Sequence, residues 1–208
     1  MEKKEVISGA LILFMRFGIK SLTMDDISRH LGISKKTLYQ YVSDKKDLVR
    51  EGMKFMIGQE KQMLCEAIKT NKTAIDELIG VTKCVSSEIG EMHPSVIFDL
   101  QKYHPDAWKL MVDHKNGFIQ NMMLENIKRG MSEGFYRKNL NPEVITYIYM
   151  GMVDSMLNAD NPLAKKMSLD ELHTEVIRYH IKGIANDKGL SYLKEALKKN
   201  MNEKFNMD

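Results

Sequence analysis

Helix-ending signals are rare in this sequence, and their spacing limits the fold more than any other feature. The 208 residues contain only four prolines, two of which follow His93 and His104. A residue before proline is pushed out of the α region, so helices are expected to end at these two points. Elsewhere apolar residues recur every three to four positions, and no segment alternates with the period of a strand. We therefore predict an all-α fold of about nine or ten helices.

Capping residues give the starts of several helices. Thr23, Ser34 and Thr73 are placed as N-caps, and Ser168 with Glu171 has the spacing of a capping box. The predicted helices span 3–17, two short segments that start after Thr23 and Ser34, 45–70, 74–91, 95–103, 105–132, 142–158, 169–185 and 190–199. We expect the polar tail that follows to fray.

Charge is unevenly distributed along the chain. Residues 1–54 contain 11 Lys or Arg and 7 Asp or Glu, a net charge of +4, whereas the other 154 residues contain 20 and 21, a net charge of −1. A basic N-terminal segment suits a polyanionic partner such as nucleic acid. An ordinary solvated surface is the alternative for charge taken alone.

The sequence lacks the patterns of membrane-spanning, disulfide-rich and metal-binding proteins and of common enzymes. No run approaches the roughly 20 apolar residues of a membrane span, and Cys65 and Cys84 offer no disulfide framework. We therefore expect a cytoplasmic chain without a membrane partner. The six histidines include no pair at the i, i+4 spacing of a helical metal site, and the glycine loops and nucleophile motifs of common enzymes are missing. We expect no metal, no cofactor and no enzymatic activity.

The two short predicted helices have the pattern of a helix-turn-helix. Ile27, Leu31, Ile33 and Leu38 supply apolar contacts between them, and Gly32 lies in the turn. A helix pair that crosses at roughly a right angle through a short turn requires these features.

The second short helix has an apolar side and a polar side. With Leu38 and Val42 turned inward, Lys36, Tyr39 and Gln40 point outward. In DNA-binding helix-turn-helix units the second helix enters the major groove, where lysine can donate to guanine and glutamine can bond adenine. A capped surface helix with polar residues by chance is the alternative for this helix taken alone.

A longer pattern spans residues 21–49, SLTMDDISRHLGISKKTLYQYVSDKKDLV. It has Thr at the helix cap, Gly in the turn, Thr-Leu-Tyr-x-(His/Tyr) on the second helix, and Lys and Leu at the next helix. These residues are Thr23, Gly32, Thr37, Leu38, Tyr39, Tyr41, Lys45 and Leu48. The pattern resembles the N-terminal domain of TetR-type transcriptional repressors over about the first 55 residues. One departure is Val42, where many members have phenylalanine.

The resemblance implies which residues touch DNA. Base-edge contacts are expected from Lys35, Lys36 and Tyr39, and the outward position of Gln40 adds a fourth reader. Phosphate contacts are expected from Thr23, Thr37, Tyr41 and Lys45. A two-fold homodimer would place two such helices on a palindromic double-stranded operator. We predict a helix-turn-helix DNA-binding domain at 1–47 and a larger helical ligand-binding and dimerisation domain at 48–208.

The predicted helix 142–158 is apolar on nearly all sides, since Asp154 is its only charged residue after Glu143. Its own domain can cover one face, so we expect a partner subunit to cover another, as the resemblance also implies. An ordinary core helix is the alternative. The expected interface residues on this helix and on the helix 169–185 are Tyr149, Gly151, Met152, Met156, Leu172, Val176 and Tyr179.

The resemblance also implies an effector pocket in the second domain. Methionine and aromatic side chains make an adaptable lining for a hydrophobic or amphipathic ligand. The candidates are Phe98, Tyr103, Trp108, Met111, Phe118, Met122 and Tyr147, with a plain core position as the alternative for each. The sequence thus predicts a dimeric DNA-binding repressor relieved by an unknown small-molecule effector. The alternative function is a DNA-binding protein whose second domain is a protein-interaction platform without an effector.

Overall fold

The computed structural model describes residues 2–90, 92–158, 160–163 and 166–199. The helices are α1 (Lys3–Phe17), α2 (Met24–His30), α3 (Lys35–Tyr41), α4 (Lys45–Thr70), α5 (Ala74–Ile89), α6 (Ser95–Tyr103), α7 (Pro105–His114), α8 (Gln120–Ser132), α9 (Pro142–Met156), α10 (Leu169–Ile184) and α11 (Asp187–Lys199). Within these described ranges there is no β-strand, only an isolated bridge between Tyr136 and Ala185. The all-α prediction is confirmed.

The N-caps lie where the sequence places them. The side chains of Thr23, Ser34 and Thr73 each accept a hydrogen bond from the backbone N–H three residues further on. Ser168 and Glu171 form the predicted capping box at the start of α10. Each cap satisfies an N–H group that has no partner within its own helix, so local sequence fixes these starts.

The predicted helix 105–132 consists of three pieces. α7 ends at His114, a π-helical segment (Lys115–Ile119) follows, and α8 begins at Gln120. The π-helical segment contains Asn116 and Gly117, which are poor α-helix formers. A single wide turn changes the apolar spacing too little to be visible in the sequence.

The last helix starts earlier than predicted. Asn186 accepts a hydrogen bond from the backbone N–H of Gly189 (3.0 Å), and α11 begins at Asp187 rather than near residue 190. Gly189 marks a close approach rather than a break, because a side chain there would overlap the carbonyl oxygen of Phe135. The predicted frayed tail lies outside the described residues.

The chain forms two compact units, and each has its own core. The first unit comprises the described parts of 1–60 and 91–114, and the second those of 61–90 and 115–208. α4 contributes residues to both. The functional division at residues 47 and 48 stays a prediction, and the first unit extends beyond it to include α6 and α7.

In the first unit, α1, the short helices α2 and α3, the start of α4, and α6 share one apolar core. Burial of these side chains is the main term that holds the two short helices, since helices this short are unstable alone. The fully buried members include Val6, Phe14, Ile27, Leu38, Leu48, Val96 and Leu100.

In the second unit, α5, α8, α9, α10 and α11 surround a separate core. Arg129 supports it at one edge by pairing with Glu77 (3.0 Å) and Glu133 (2.7 Å) and by donating to the carbonyl oxygens of Asn71 and Lys72. The buried carboxylate of Glu77 is thereby paired, as burial of a charge requires. The apolar members include Ile75, Met123, Ile127, Tyr136, Ile177 and Ile181.

The part of the chain that the structure describes has neither a membrane-spanning helix nor a cluster of metal-binding side chains. No helix in this part of the chain is long and apolar enough to cross a membrane. The same residues contain no group of three or more His, Cys, Asp or Glu side chains that could hold a metal ion.

Candidate nucleic-acid interface

α2 begins with a reciprocal cap. The hydroxyl oxygen of Thr23 accepts from the backbone N–H of Asp26 (3.1 Å), while the Asp26 carboxylate accepts from the N–H (3.0 Å) and the hydroxyl (2.6 Å) of Thr23. These hydrogen bonds from Thr23 lower the pKa of Asp26. The Thr23 hydroxyl therefore positions α2, and the expected contact with a DNA phosphate would compete with this cap.

The turn between α2 and α3 matches the predicted geometry. Gly32 has a φ of +66°, which favours glycine, and its N–H donates to the carbonyl of Arg29 (3.2 Å). The N–H of Ile33 then donates back to the carbonyl of Ser28 (3.0 Å), whose small side chain is buried. These bonds fix the direction in which α3 leaves α2.

α3 presents the face that the sequence predicts. Leu38 is fully buried and Val42 nearly so, whereas Lys36 and Gln40 are exposed and Tyr39 is 44% exposed. Helical geometry places residues three and four apart on one side, so Lys36, Tyr39 and Gln40 share the outer surface. Lysine, tyrosine and glutamine on an outward helix can offer donors, an acceptor and an aromatic face to base edges.

The other candidates on and near α3 have partners within the chain. Lys35 forms an ion pair with Asp25 (2.9 Å), and the hydrogen bond in that pair raises the lysine pKa. The Thr37 hydroxyl is hydrogen-bonded to that of Ser34 (2.8 Å), and Tyr41 is half-buried. Among the residues that the structure describes, Lys36 is thus the lysine of α3 without an ion-pair partner.

Lys45 faces inward. Its ammonium group donates to the backbone carbonyl of Leu22, the residue before the Thr23 cap, and partial burial lowers its pKa. The contact ties the first turn of α4 to the loop that enters α2.

The contacts of two acidic residues in this region were not predicted from the sequence. Asp25 pairs with Lys35 across the helix pair, and Asp99 on α6 accepts from the backbone N–H groups of Ile19 and Lys20. Asp99 is 80 residues from Ile19 and 79 residues from Lys20 in the chain. No local pattern reveals a contact over that distance.

The effector-pocket candidates fall into both units. In the first unit, Trp108 and Met111 pack against the core, and Phe98 is exposed and lies edge-on to Tyr103. Tyr103 lines a cleft of about 250 Å³ whose other walls include the charged side chains Asp44, Lys46, Asp47 and Arg50. This cleft is more polar than a lipophilic ligand would require.

In the second unit two of the effector-pocket candidates lie in one apolar cluster and a third lies at the surface. Met122 is buried in a small apolar cluster with Leu64 and Val81, and Phe118 packs against that cluster. Tyr147 is instead 77% exposed, on the outer side of α9. The structure therefore brings Phe118 and Met122 together and leaves Tyr147 at the surface.

The dimer candidates divide in a similar way. Tyr149 belongs to the core of the second unit, and Met152 and Val176 pack against that core. Met156 and Leu172 are also buried. Gly151 and Tyr179 are exposed, the latter at 73%. The outer face of α9 carries apolar residues that had not been assigned to an interface, namely Val144, Tyr147 and Ile148.

Comparisons with known proteins agree with this geometry. Residues 6–51, which contain α2 and α3, match the family model of bacterial regulatory proteins, tetR family. The chain is 23% identical over 188 residues to YvaF, an HTH-type transcriptional regulator of Bacillus subtilis, and the match covers 88% of this chain and 96% of that protein.

Solved structures share the fold over most of the chain. The transcriptional regulator FadR of Bacillus subtilis, in complex with stearoyl-CoA, superposes with a TM-score of 0.65 at 20% identity, covering 88% of this chain and 100% of that one. A transcriptional regulator of Saccharomonospora viridis in complex with choline gives a TM-score of 0.70 at 16% identity, with 88% and 97% covered.

Proposed function

We propose that this chain, which belongs through its N-terminal domain to the TetR family of transcriptional regulators, is a homodimeric repressor of a palindromic operator that a small effector releases. The observation that carries the proposal is the outer face of α3. It presents Lys36, Tyr39 and Gln40 from a helix whose inner side is anchored in the core. A helix held in this way can present its outer face to a DNA groove in a fixed orientation.

We assign base reading to that outer face. Lys36 can donate to guanine and Gln40 can bond adenine, while Tyr39 offers its ring to a thymine methyl group. Lys35 would first have to break its ion pair with Asp25, so we expect it to contribute less to base reading than Lys36 does. Thr37 and Tyr41 lie at the edges of the face, where phosphate contacts are expected.

Two exposed helix faces support a homodimer. On α9, Val144, Tyr147, Ile148 and Gly151 follow the three-to-four spacing of one side, and a side chain added at Gly151 would meet open space. On α10, Tyr179 is exposed four residues before Gly183, which is also open. Contiguous exposed apolar side chains beside open glycines suit close packing against a second copy of the same helices.

One similar structure supports an effector of lipophilic or amphipathic character, and another holds a small quaternary amine. FadR of Bacillus subtilis was solved with stearoyl-CoA and the Saccharomonospora viridis regulator with choline. In the present chain the cluster of Leu64, Val81 and Met122, with Phe118 beside it, has the adaptable side chains that such a ligand would need. An effector that favours the non-binding arrangement by about 1 to 3 kcal/mol would weaken operator binding about 5- to 150-fold.

The DNA-binding part is tested by selection from a randomised duplex pool. The chain should enrich a palindrome whose half-site centres lie about 10 base pairs, or a multiple of that, apart. Sedimentation of the complex should show an even number of chains per duplex. A chain that enriches no sequence, or that binds one half-site as a monomer, would contradict the proposal.

The effector part needs a separate experiment. Long-chain acyl compounds and quaternary amines, tested one at a time, should include one that binds the chain and lowers its affinity for the selected duplex. Compounds that bind the second unit and leave that affinity unchanged would favour the protein-interaction platform instead.

A further inference from the structure

A buried carboxylate on α6 holds the loop that leads into the helix-turn-helix. Asp99 is only 3% exposed, and its Oδ2 accepts hydrogen bonds from the N–H groups of Ile19 (3.1 Å) and Lys20 (2.9 Å) and from the hydroxyl of Ser95 (3.3 Å). A carboxylate in the interior is stable only where donors replace its lost hydration. Two of these three donors come from the loop backbone, so the contact depends on the loop conformation.

The same part of the chain also contacts the end of α1. The N–H of His93 donates to the carbonyl of Met15 (2.6 Å). Gly18 has a φ of +81°, and a side chain there would collide with the hydroxyl of Ser95. The His93 N–H therefore holds the last turn of α1, and Ser95 and Asp99 hold the first residues of the α1–α2 loop.

The other end of the loop is held from α4. Lys45 donates to the carbonyl of Leu22, and the next residue, Thr23, is the N-cap of α2. A carboxylate thus holds the N–H groups at the start of the loop, and an ammonium group holds a carbonyl at its end. The two contacts together fix the position of the first residue of the helix-turn-helix.

We infer that Asp99 is a positioning residue for operator binding, and that it acts by fixing the α1–α2 loop rather than by touching DNA. Loss of its two backbone bonds would let the start of α2 shift. α3 follows α2 after only four residues, so its outer face would shift as well. A misplaced reading helix loses base contacts while the sequence-independent attraction to phosphates persists. This inference rests on the proposed DNA-binding function.

The first measurement is amide hydrogen exchange on the full chain. In Asp99→Ala the amides of Ile19 and Lys20 should exchange at least about tenfold faster than in the wild type, because their acceptor is gone. Asp99→Asn keeps one acceptor oxygen and should give a smaller increase. Asp113→Asn makes the same charge change on α7, at an exposed residue paired with Lys109, and should leave both amides unchanged.

The second measurement compares the duplex that the wild type selects with a scrambled duplex. Asp99→Ala should lower the ratio of the two affinities about tenfold or more, with an unchanged dependence on salt. Val96→Ala, at a fully buried position on the same helix, is the reference for a purely structural defect. It should lower stability without changing the exchange at Ile19 or the affinity ratio.

The outcomes separate the inference from the function on which it rests. Faster exchange at both amides with a lowered affinity ratio supports it. Unchanged exchange in Asp99→Ala, or faster exchange with an unchanged ratio, overturns it. A ratio lowered equally by Val96→Ala also overturns it, because the role of Asp99 would then be structural only. If Asp99→Ala does not fold, Asp99→Asn is measured instead. Faster exchange at Ile19 and Lys20 together with a lower affinity ratio would then support the inference, and no change in either would overturn it. A wild-type chain that selects no duplex contradicts the proposed function, whereas the exchange data report on the loop in either case.

Discussion

The helices α3 and α9 both bury one side and expose the other, but the exposed sides differ in chemistry. α3 presents Lys36 and Gln40 beside Tyr39, and α9 presents Val144, Tyr147 and Ile148. Hydrogen-bonding groups on a fixed helix suit a polar partner with a defined edge. Apolar side chains suit a surface that also loses water on contact. This contrast is the reason for proposing two different partners, DNA for α3 and a second copy of the chain for α9.

The inner sides of the two helices should respond differently to acid. The inner side of α9 packs on α10, where the ring of His180 lies 4.8 Å from that of Tyr149. Burial lowers the pKa of His180 and of His173 to about 4. The unfolded chain binds these protons near pH 6.5, so their contribution to stability is present above that pH and is lost as the pH falls towards 4.

We predict that the second unit loses about 2 kcal/mol of unfolding free energy per buried histidine between pH 7 and pH 5. Urea unfolding at the two pH values, followed by the fluorescence of a probe in the second unit, measures the loss. Replacement of both histidines by glutamine should remove most of the dependence. Equal pH dependence in that variant would contradict burial as the cause.

The two sides of α3 can be separated by neighbouring substitutions. Leu38→Ala should lower the unfolding free energy of the first unit by about 2 to 5 kcal/mol, because it empties a fully buried position. Tyr39→Ala, one residue further on, should change it by less than about 0.5 kcal/mol. Urea unfolding of both variants measures the two changes in unfolding free energy. Similar losses would mean that the outer face of α3 is packed rather than free.

The outer face of α9 should determine the oligomeric state. Ile148→Asp places a charge on the exposed apolar face and should weaken the dimer by about 2 to 4 kcal/mol, with an unchanged fold of the monomer. Sedimentation equilibrium over a concentration series measures the effect. The control is Asn121→Asp, at an exposed polar position of α8, a helix outside the proposed interface. An unchanged dimer in Ile148→Asp would contradict an interface on this face of α9.

The smallest expected effect distinguishes the exposed lysine of α3 from the inward lysine of α4. Lys36→Ala should flatten the salt dependence of binding to DNA by up to about one unit, since its charge faces the partner. Lys45→Met should leave the slope unchanged, because its ammonium group is bonded to the Leu22 carbonyl. Anisotropy titrations at several salt concentrations measure both slopes. A slope lowered by about one unit in Lys45→Met would restore the expected phosphate contact.

The sequence predicted what depends on neighbours a few positions apart. The cap at Thr23, the turn at Gly32 and the inward side of α3 at Leu38 are set by local spacing, and the structure has all three. Periodicity can locate a buried side there because polar and apolar residues alternate clearly around the helix.

Two features could not be predicted in this way. α9 is apolar on nearly all sides, so periodicity cannot show which side is covered. Tyr147, expected to line a pocket, is exposed, and Tyr149, expected at a subunit interface, is buried in the core. The contact of Asp99 with Ile19 and Lys20 depends on packing between helices that are distant in sequence. Both need three-dimensional structure, since neither depends on residues a few positions apart.

The outer face of α3 is the surface on which the proposed sequence-specific binding depends most. The most direct test is the ratio of affinities for the selected and a scrambled duplex, measured for the wild type and for the combined variant Lys36→Ala, Tyr39→Ala, Gln40→Ala. We predict that the ratio falls at least about 100-fold while the unfolding midpoint is unchanged, because base contacts contribute about 1 to 3 kcal/mol each. A ratio equal to that of the wild type would contradict the account.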